Sequence, residues 1–584
     1  MFIGDSANLS FLQVIRRSVG QCIGSCTFVD DPMRCLMVEA CPEGEPNWLK
    51  LTSQGQPPKV SLPDAQQLVK SFIIATSCVL DMFDEDDLLR CLPSFCHESR
   101  MDPELPLPIY YLVLAIGAQA AHKPMDELAE SLFTHGRFVT AQSLMEDPST
   151  LTVQSYALIT MYLLGSCRRN AAFMHLGIAV RAAYAIGLHS TQVARCFSAD
   201  EFRTRERLWK VIRVLDLFMS ASLGRPPSTS ETRDTEAYEN YSASNDLCSI
   251  FEKILTTVYL PRMVTNDMLK DIVGHHRRWA SRFSQGLEND KIKVVDNLNN
   301  GAIPNIGLLH IKEAYYWTII LATRPFLTQS VLTHIKKVST HGKALSGSCT
   351  DFGVDKTLVN ACVDSAIRTI DLLKVFVGCQ QTPKRLPFVV NSLFIAALVL
   401  GFSFFGDLYQ NFPLEKYLQK AHQLLVQFPR DAIAQRNASI ISYLIAACDT
   451  YLEKRTAQNI DRQSAAVGSM FGQIHGHLDS TTTRIQQTTG TTAEPFGTSL
   501  SVNAQSIMAS HITTSAEEFE QEQDQSEPVP GDESYNYDKN VDFAEIPCAD
   551  PMPEAWWLES WDENMMLFST VGTNELLHSP IENV

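Results

Sequence analysis

Apolar residues recur every three to four positions from residue 62 to residue 456, which is the period of an α-helix. Alternating runs of the kind that form strands are nearly absent. Helices are predicted over residues 62–80, 105–122, 124–145, 151–165, 170–187, 203–222, 248–285, 305–321, 357–378, 388–404, 412–427 and 430–454. The pattern therefore predicts an all-α fold with one large multi-helix domain over residues 62–456. Residues 1–61 mix short apolar runs with proline and glycine, and we interpret them as a lead-in segment.

The most regular apolar stripe lies in the helix predicted over residues 203–222. Its members are Leu208, Val211, Ile212, Leu215, Phe218, Met219 and Ser222. The helix is expected to end at Gly224, which can adopt the left-handed conformation, because Pro226 cannot continue a helix. Arg225 then follows the helix end, where it could bond free carbonyls or the carboxylate of Asp216. We expect Arg225 to be largely buried as such a structural latch.

One apolar stretch, residues 388–407, is long enough to consider as a membrane span. Asn391, Ser392 and Ser403 interrupt it, and the sequence offers no second span. A buried core helix is therefore the favoured interpretation.

The net charge of −18 lies entirely in the last part of the chain. Residues 461–584 contain 21 acidic and 3 basic side chains, which leaves 45 of each in the first 460 residues. A neutral body offers no basic surface for phosphates, whereas acidic tails more often contact partner proteins. Residues 457–540 are rich in Thr, Gln and Glu and are predicted to be a disordered linker.

Two patterns suggest metal sites, and both are incomplete. An acidic run at residues 84–87 and the residues Asn245, Asp246 and Ser249 resemble the magnesium ligands of isoprenoid-type enzymes, but Lys253 occupies the last ligand position. Four cysteines cluster near the start of the chain, at Cys22, Cys26, Cys35 and Cys41. They lack the C-x-x-C spacing of most zinc sites, so we interpret them as buried apolar residues. Motifs of hydrolases, phosphate-binding loops and dinucleotide folds are also missing, so neither an enzyme nor a bound cofactor is predicted.

The stretch "ERLWKVIRVLDLFMSASLGRPPS" resembles the signature of the fungal-specific transcription factor regulatory domain. Four further stretches match that family in the expected order along the chain: "FIGDSANLSFLQVIRR", "EDPSTLTVQSYALI", "MYLLGSCRRNAAFMHLGIAVRAAYAIGLHS" and "HIKEAYYWTIILATRPFL". The resemblance covers roughly residues 1–455. The residues assigned to the structural signature are Arg168, Arg169, Arg181, Gly187, His189, Trp209, Asp216, Gly224, Arg225 and Pro226.

The resemblance implies a nuclear regulator of transcription, expected to be a pathway-specific activator of a gene cluster. Members of the family usually read DNA through an N-terminal binuclear zinc cluster, which this sequence does not show. DNA contact and zinc are therefore expected only through a module outside this sequence. A family member that acts as a co-regulator scaffold without its own DNA reader is the main alternative, and a magnesium-dependent isoprenoid-type enzyme is a weaker one.

The last segment, residues 541–584, combines acidic and aromatic side chains. Its expected activation anchors are Trp556, Trp557, Trp561 and Phe568. Acidic neighbours keep such aromatics solvated and available to a partner groove. The expected partners are the transcription machinery or co-activator proteins, together with a second copy of the chain, and no membrane. The alternative is a C-terminal helix that docks on its own domain.

Overall fold

The computed structural model describes residues 2–33, 57–96, 106–143, 146–231, 241–260, 265–290, 292, 304–340, 356–377, 379 and 381–472. Within these ranges the chain forms helices and no strand, which confirms the all-α class. The helices are α1 (Asn8–Ile23), α2 (Thr27–Asp30), α3 (Leu62–Thr76), α4 (Glu85–Cys96), α5 (Leu107–Ala120), α6 (Asp126–Ser143), α7 (Thr150–Gly165), α8 (Arg169–Ala185), α9 (Thr191–Ala194), α10 (Ala199–Leu223), α11 (Ala243–Ile254), α12 (Asn266–Asn289), α13 (Ile306–Thr340), α14 (Lys356–Leu373), α15 (Pro387–Phe404), α16 (Leu414–Val426) and α17 (Ala432–Phe471).

Helix α15 lies at the centre of the main compact unit, which extends to Gln458. It packs against α13, α14 and α16, and every one of its residues is buried. Among the described residues it is the one helix long and apolar enough to cross a membrane, and all of it lies inside the protein. The predicted core helix is thus confirmed. Its polar Asn391 accepts a hydrogen bond from the side-chain amide of Asn8, at 2.8 Å.

The first half of the predicted lead-in segment, residues 1–61, packs with the helical domain. Helix α1 buries Leu9, Leu12 and Ile15 in the same hydrophobic core as the later helices. Phe11 meets the edge of the Phe402 ring on α15, with the ring centroids 5.7 Å apart. The interpretation of this segment rested on the proline and glycine that follow the stripe, and not on the stripe itself. Residues 34–56 lie outside the described residues.

Two other predicted boundaries were wrong. The single helix predicted over residues 248–285 is divided into two. Helix α11 ends at Ile254, one π-helical turn follows at Leu255–Tyr259, and α12 comes next along the chain. The last helix continues past residue 456 to Phe471, through exposed residues. Extending a helix that is already formed costs little, since only its first turn is unfavourable. The remainder of the predicted linker and the segment 541–584 lie outside the described residues.

Candidate functional site: the signature helix and its closing loop

Helix α10 carries the predicted signature, and its local sequence explains where it begins and ends. The side chain of Ser198 caps the first turn by accepting a hydrogen bond from the amide of Glu201. Trp209 is 1% exposed and meets the edge of the Tyr184 ring on α8, with the ring centroids 5.6 Å apart. Gly224 ends the helix in the left-handed conformation, at φ 69°, as predicted.

We call the residues that follow α10, 224–231, its closing loop. The N-terminal segment contacts the point where this loop begins. The amide of Gly4 donates to the carbonyl of Leu223 at 3.3 Å. A Cβ atom on Gly4 would lie 2.0 Å from the carbonyl oxygen of Gly224, so position 4 has no room for a side chain. The first residues of the chain therefore hold the end of the signature helix in place.

Arg225 is more exposed than expected. It is half-buried rather than largely buried. Its guanidinium donates to the side-chain oxygen of Asn170 at 2.9 Å and lies 4.3 Å from the ring centre of Phe173. Asn170 and Phe173 both belong to α8. Because the chain turns at Gly224, the side chain reaches across to the first turns of α8.

Asp216 binds the closing loop directly. One of its carboxylate oxygens accepts hydrogen bonds from the amide of Ser228 at 2.9 Å, and from the amide and hydroxyl of Thr229 at 2.7 and 2.8 Å. Burial raises the pKa of Asp216, and the bonds from Thr229 and Ser228 oppose that rise. The buried Asp216 therefore holds the loop to α10, and the half-buried Arg225 holds it to α8. We call this pair of attachments the loop clamp.

A buried ionic cluster on α10 was missed from the sequence. Arg213 is fully buried, and both terminal nitrogens of its guanidinium lie 2.9 Å from one carboxylate oxygen of Glu252 on α11. Its third nitrogen lies 3.3 Å from a carboxylate oxygen of Glu231. The sequence did contain a signal for this cluster. Arg213 lies one helical turn after Trp209, so the two side chains share the buried face of the helix.

The other basic residues of α10 face acidic neighbours. Arg207 pairs with Asp81 and Asp84 at 3.0 Å each, and Lys210 lies between Asp81 and Asp290, at 3.3 and 3.2 Å. The acidic run of residues 84–87 lies at the N-terminus of α4, where the helix dipole favours negative charge. Its Asp84 pairs with Arg207. Arg207 and Lys210 are thus already paired with carboxylates of the same chain.

The two patterns considered as metal sites are used differently in the structure. Lys253 pairs with Asp271, and the hydroxyl of Tyr241 donates to Asp246 at 3.1 Å. Cys22 and Cys26 are half-buried free thiols. Over the described parts of the chain, no three His, Cys, Asp or Glu side chains are grouped to hold a metal ion. Cys35 and Cys41 lie outside those parts.

The remaining signature residues lie on α8 or beside it. Arg168 makes two hydrogen bonds of 3.0 Å to the carboxylate of Glu130, and Arg169 is buried. Gly187 is left-handed at φ 71°, and the half-buried His189 ring lies 4.8 Å from the ring of Tyr184. Arg181 and Pro226 are exposed. The structure thus groups most of the predicted residues around the α8–α10 contact, while Trp556, Trp557, Trp561 and Phe568 lie outside the described residues.

Replacing Gly4 by alanine should destabilise the protein by about 1–3 kcal/mol, because the new methyl group overlaps the backbone at Gly224. Gly177→Ala on α8 is the control, since a Cβ there meets nothing within 4 Å. Alanine favours a helix more than glycine does, so the control should be neutral or stabilising by up to about 1 kcal/mol. Urea unfolding of both variants measures the difference. Equal midpoints would show that the N-terminal segment does not close on α10.

Comparison with known proteins finds a family that is similar to the same region. Residues 80–237 match the family model described as the fungal specific transcription factor domain. The chain is 22% identical over 492 residues to Filamentous growth regulator 27 of Candida albicans, an alignment that covers 76% of this chain and 60% of that protein. No solved structure matches the chain.

Two further relatives share shorter stretches. Transcriptional activator protein acu-15 of Neurospora crassa is 22% identical over 364 residues, 56% of this chain and 38% of that protein. Transcription factor FBD3 of Gibberella moniliformis is 34% identical over 276 residues, 42% of this chain and 36% of that protein. This chain thus spans less than two thirds of the length of each relative. The matched residues include the whole of α10 and the start of its closing loop, so this region of the chain is similar to the fungal specific transcription factor domain.

Proposed function

We propose that this chain regulates transcription and does not catalyse a reaction. The observation that carries the proposal is the family match over residues 80–237, which contains α10 and Asp216 of the loop clamp. The names of the relatives from Neurospora crassa and Gibberella moniliformis describe a transcriptional activator and a transcription factor. The proposed place of action is the nucleus, where a regulator of this kind meets its target genes.

The proposed mode of action is protein contact. The bases of α10 pair with acidic residues of the same chain, and the first 460 residues are electrically neutral in sum. Such a body has little attraction for DNA, so a separate module would supply DNA contact. The acidic and aromatic residues 541–584 would recruit co-activators, which makes the protein an activator. We also propose that the protein controls one pathway or gene cluster and that it pairs with a second copy of itself. These two proposals rest on the family resemblance alone.

Residues 541–584, fused to an unrelated DNA-binding module, should activate a reporter gene. Their aromatic side chains can enter an apolar groove, while their acids keep the segment soluble. Residues 511–540 of the same chain are the matched control, because they are equally acidic in character but contain no tryptophan. The fusion with residues 511–540 should stay silent. A silent 541–584 fusion, or equal output from both, would contradict activation through this segment.

A further inference from the structure

The outer side of helix α8 differs from that of most surface helices, which carry charged and polar residues there. Its outward positions recur every three to four residues and so share one face. They are Met174, Gly177, Ile178, Arg181 and Ala185, and we call these five residues the α8 face. The face is apolar apart from one arginine, and the helix contains no acidic residue.

The middle of the α8 face is open. Met174 is 70% exposed, and Arg181 is exposed one helical turn beyond Gly177. A Cβ atom on Gly177 would meet none of the described atoms within 4 Å. Because Gly177 has no side chain, it leaves a gap between the side chains of the preceding and following turns.

The residues around this gap suit an indole ring with acidic neighbours. A thioether such as that of Met174 makes favourable contacts with aromatic rings, and a guanidinium such as that of Arg181 is attracted to the face of a tryptophan. A second cation borders the face, because Arg225 lies 4.3 Å from the ring centre of Phe173, one turn before Gly177. The α8 face is therefore expected to select a segment that combines tryptophan with negative charge.

This chain contains such a segment. Residues 541–584 include three tryptophans, Trp556, Trp557 and Trp561, among nine acidic residues, and they contain no lysine or arginine. The segment is thus complementary to the α8 face in both respects, since it brings aromatic rings to an apolar surface and negative charge to arginines.

The length of the chain allows the segment to reach its own helix. The described structure ends at Gly472, and residues 473–540 connect it to the segment. A flexible chain of that length has a root-mean-square span of about 45 Å. A domain of about 450 residues has a radius of gyration of about 22 Å, so this span extends to any side of it.

We infer that the tryptophans of residues 541–584 dock on the α8 face of their own chain and that docking withholds the segment from co-activators. Only the second half of this inference rests on the proposed function. A segment tethered in this way has an effective concentration of about 1 mM, so a Kd of about 0.1–1 mM keeps it docked about half to nine-tenths of the time. The full chain then still activates, and release of the segment raises output by about two- to tenfold.

Fluorine NMR of the full chain, labelled with 5-fluorotryptophan, tests docking without any use of transcription. Replacing Trp556, Trp557 and Trp561 one at a time by phenylalanine assigns their signals. In the natural chain these signals should differ from their positions in the urea-unfolded chain, because docked rings lie against a sulfur atom and a guanidinium.

Three variants of exposed or open positions locate the contact. Arg181→Glu reverses the charge of the α8 face, and Gly177→Gln fills its gap with a better helix former. Each should move the three signals to their unfolded positions and raise reporter output of the full-chain fusion by about two- to tenfold. Lys416→Glu, the same charge change at an exposed position of α16, is the matched control and should alter neither. Circular dichroism confirms that all three variants are folded.

The two readouts separate failure of docking from failure of the proposed function. Signals that stay unchanged in both Arg181→Glu and Gly177→Gln would overturn docking, whatever the reporter shows. Signals that differ from the unfolded positions only at higher protein concentration would assign the α8 face to a second copy and overturn docking within one chain. Released signals without a rise in output would overturn the regulatory half, and released signals with a silent 541–584 fusion would support docking while contradicting activation.

Discussion

Arg213→Ala lowers the free energy of unfolding by about 3–5 kcal/mol, because it breaks a buried ion pair. The guanidinium is fully buried and neutralises Glu252 and Glu231. Its removal leaves two carboxylates close together in a region of low dielectric, where neither is fully hydrated. The destabilisation should therefore exceed the loss of packing that a neutral side chain of the same size would cause.

Arg203→Ala on the same helix is the control. Arg203 also pairs with a carboxylate, Asp200 at 2.8 Å, but both side chains are more than two-thirds exposed. Pairs of this kind contribute about 0–1 kcal/mol, so the variant should unfold within about 0.5 kcal/mol of the natural protein. Urea denaturation compares the three proteins. A cost for Arg213→Ala no larger than that for Arg203→Ala would disprove the buried cluster.

Replacing Trp556, Trp557 and Trp561 together by alanine should abolish activation by the 541–584 fusion. Each buried aromatic ring contributes on the order of 1–3 kcal/mol to a complex, so losing three lowers affinity by several orders of magnitude. The acids act differently, because they set solubility and the rate of encounter. Replacing Glu559 by glutamine and Asp562 by asparagine should therefore weaken reporter output without abolishing it.

Fusion protein levels are measured alongside reporter output, so that loss of activation is not confused with loss of protein. Intact output from the triple tryptophan variant would show that the segment does not work by aromatic anchoring. Complete loss in the variant with two acids neutralised would show that charge carries the contact instead.

The features that could be predicted from the sequence are those that depend on neighbours along the chain. The stripe of α10 follows from its spacing, and its end follows from Gly224 and Pro226, since both are local effects. The partner of Arg225 is not local: Asn170 lies 55 residues away and is brought close only by the packing of α8 on α10. No spacing rule predicts such a contact.

Arg213 was missed for a related reason. A charge within an apolar stripe is a signal, but it identifies neither Glu252 nor Glu231 as the partner. The core partners of helix α1 are not local either, because they come from α15, almost 400 residues later.

The central claim is that this chain controls transcription, and tethering the full chain to a promoter tests it most directly. Residues 1–584 are fused to an unrelated DNA-binding module, and reporter output is compared with that of the module alone and of a fusion that ends at residue 540. The account predicts that the full chain raises output well above the module alone and that removal of residues 541–584 removes most of the increase. Output equal to that of the module alone, with the fusion present in the nucleus, would contradict the claim.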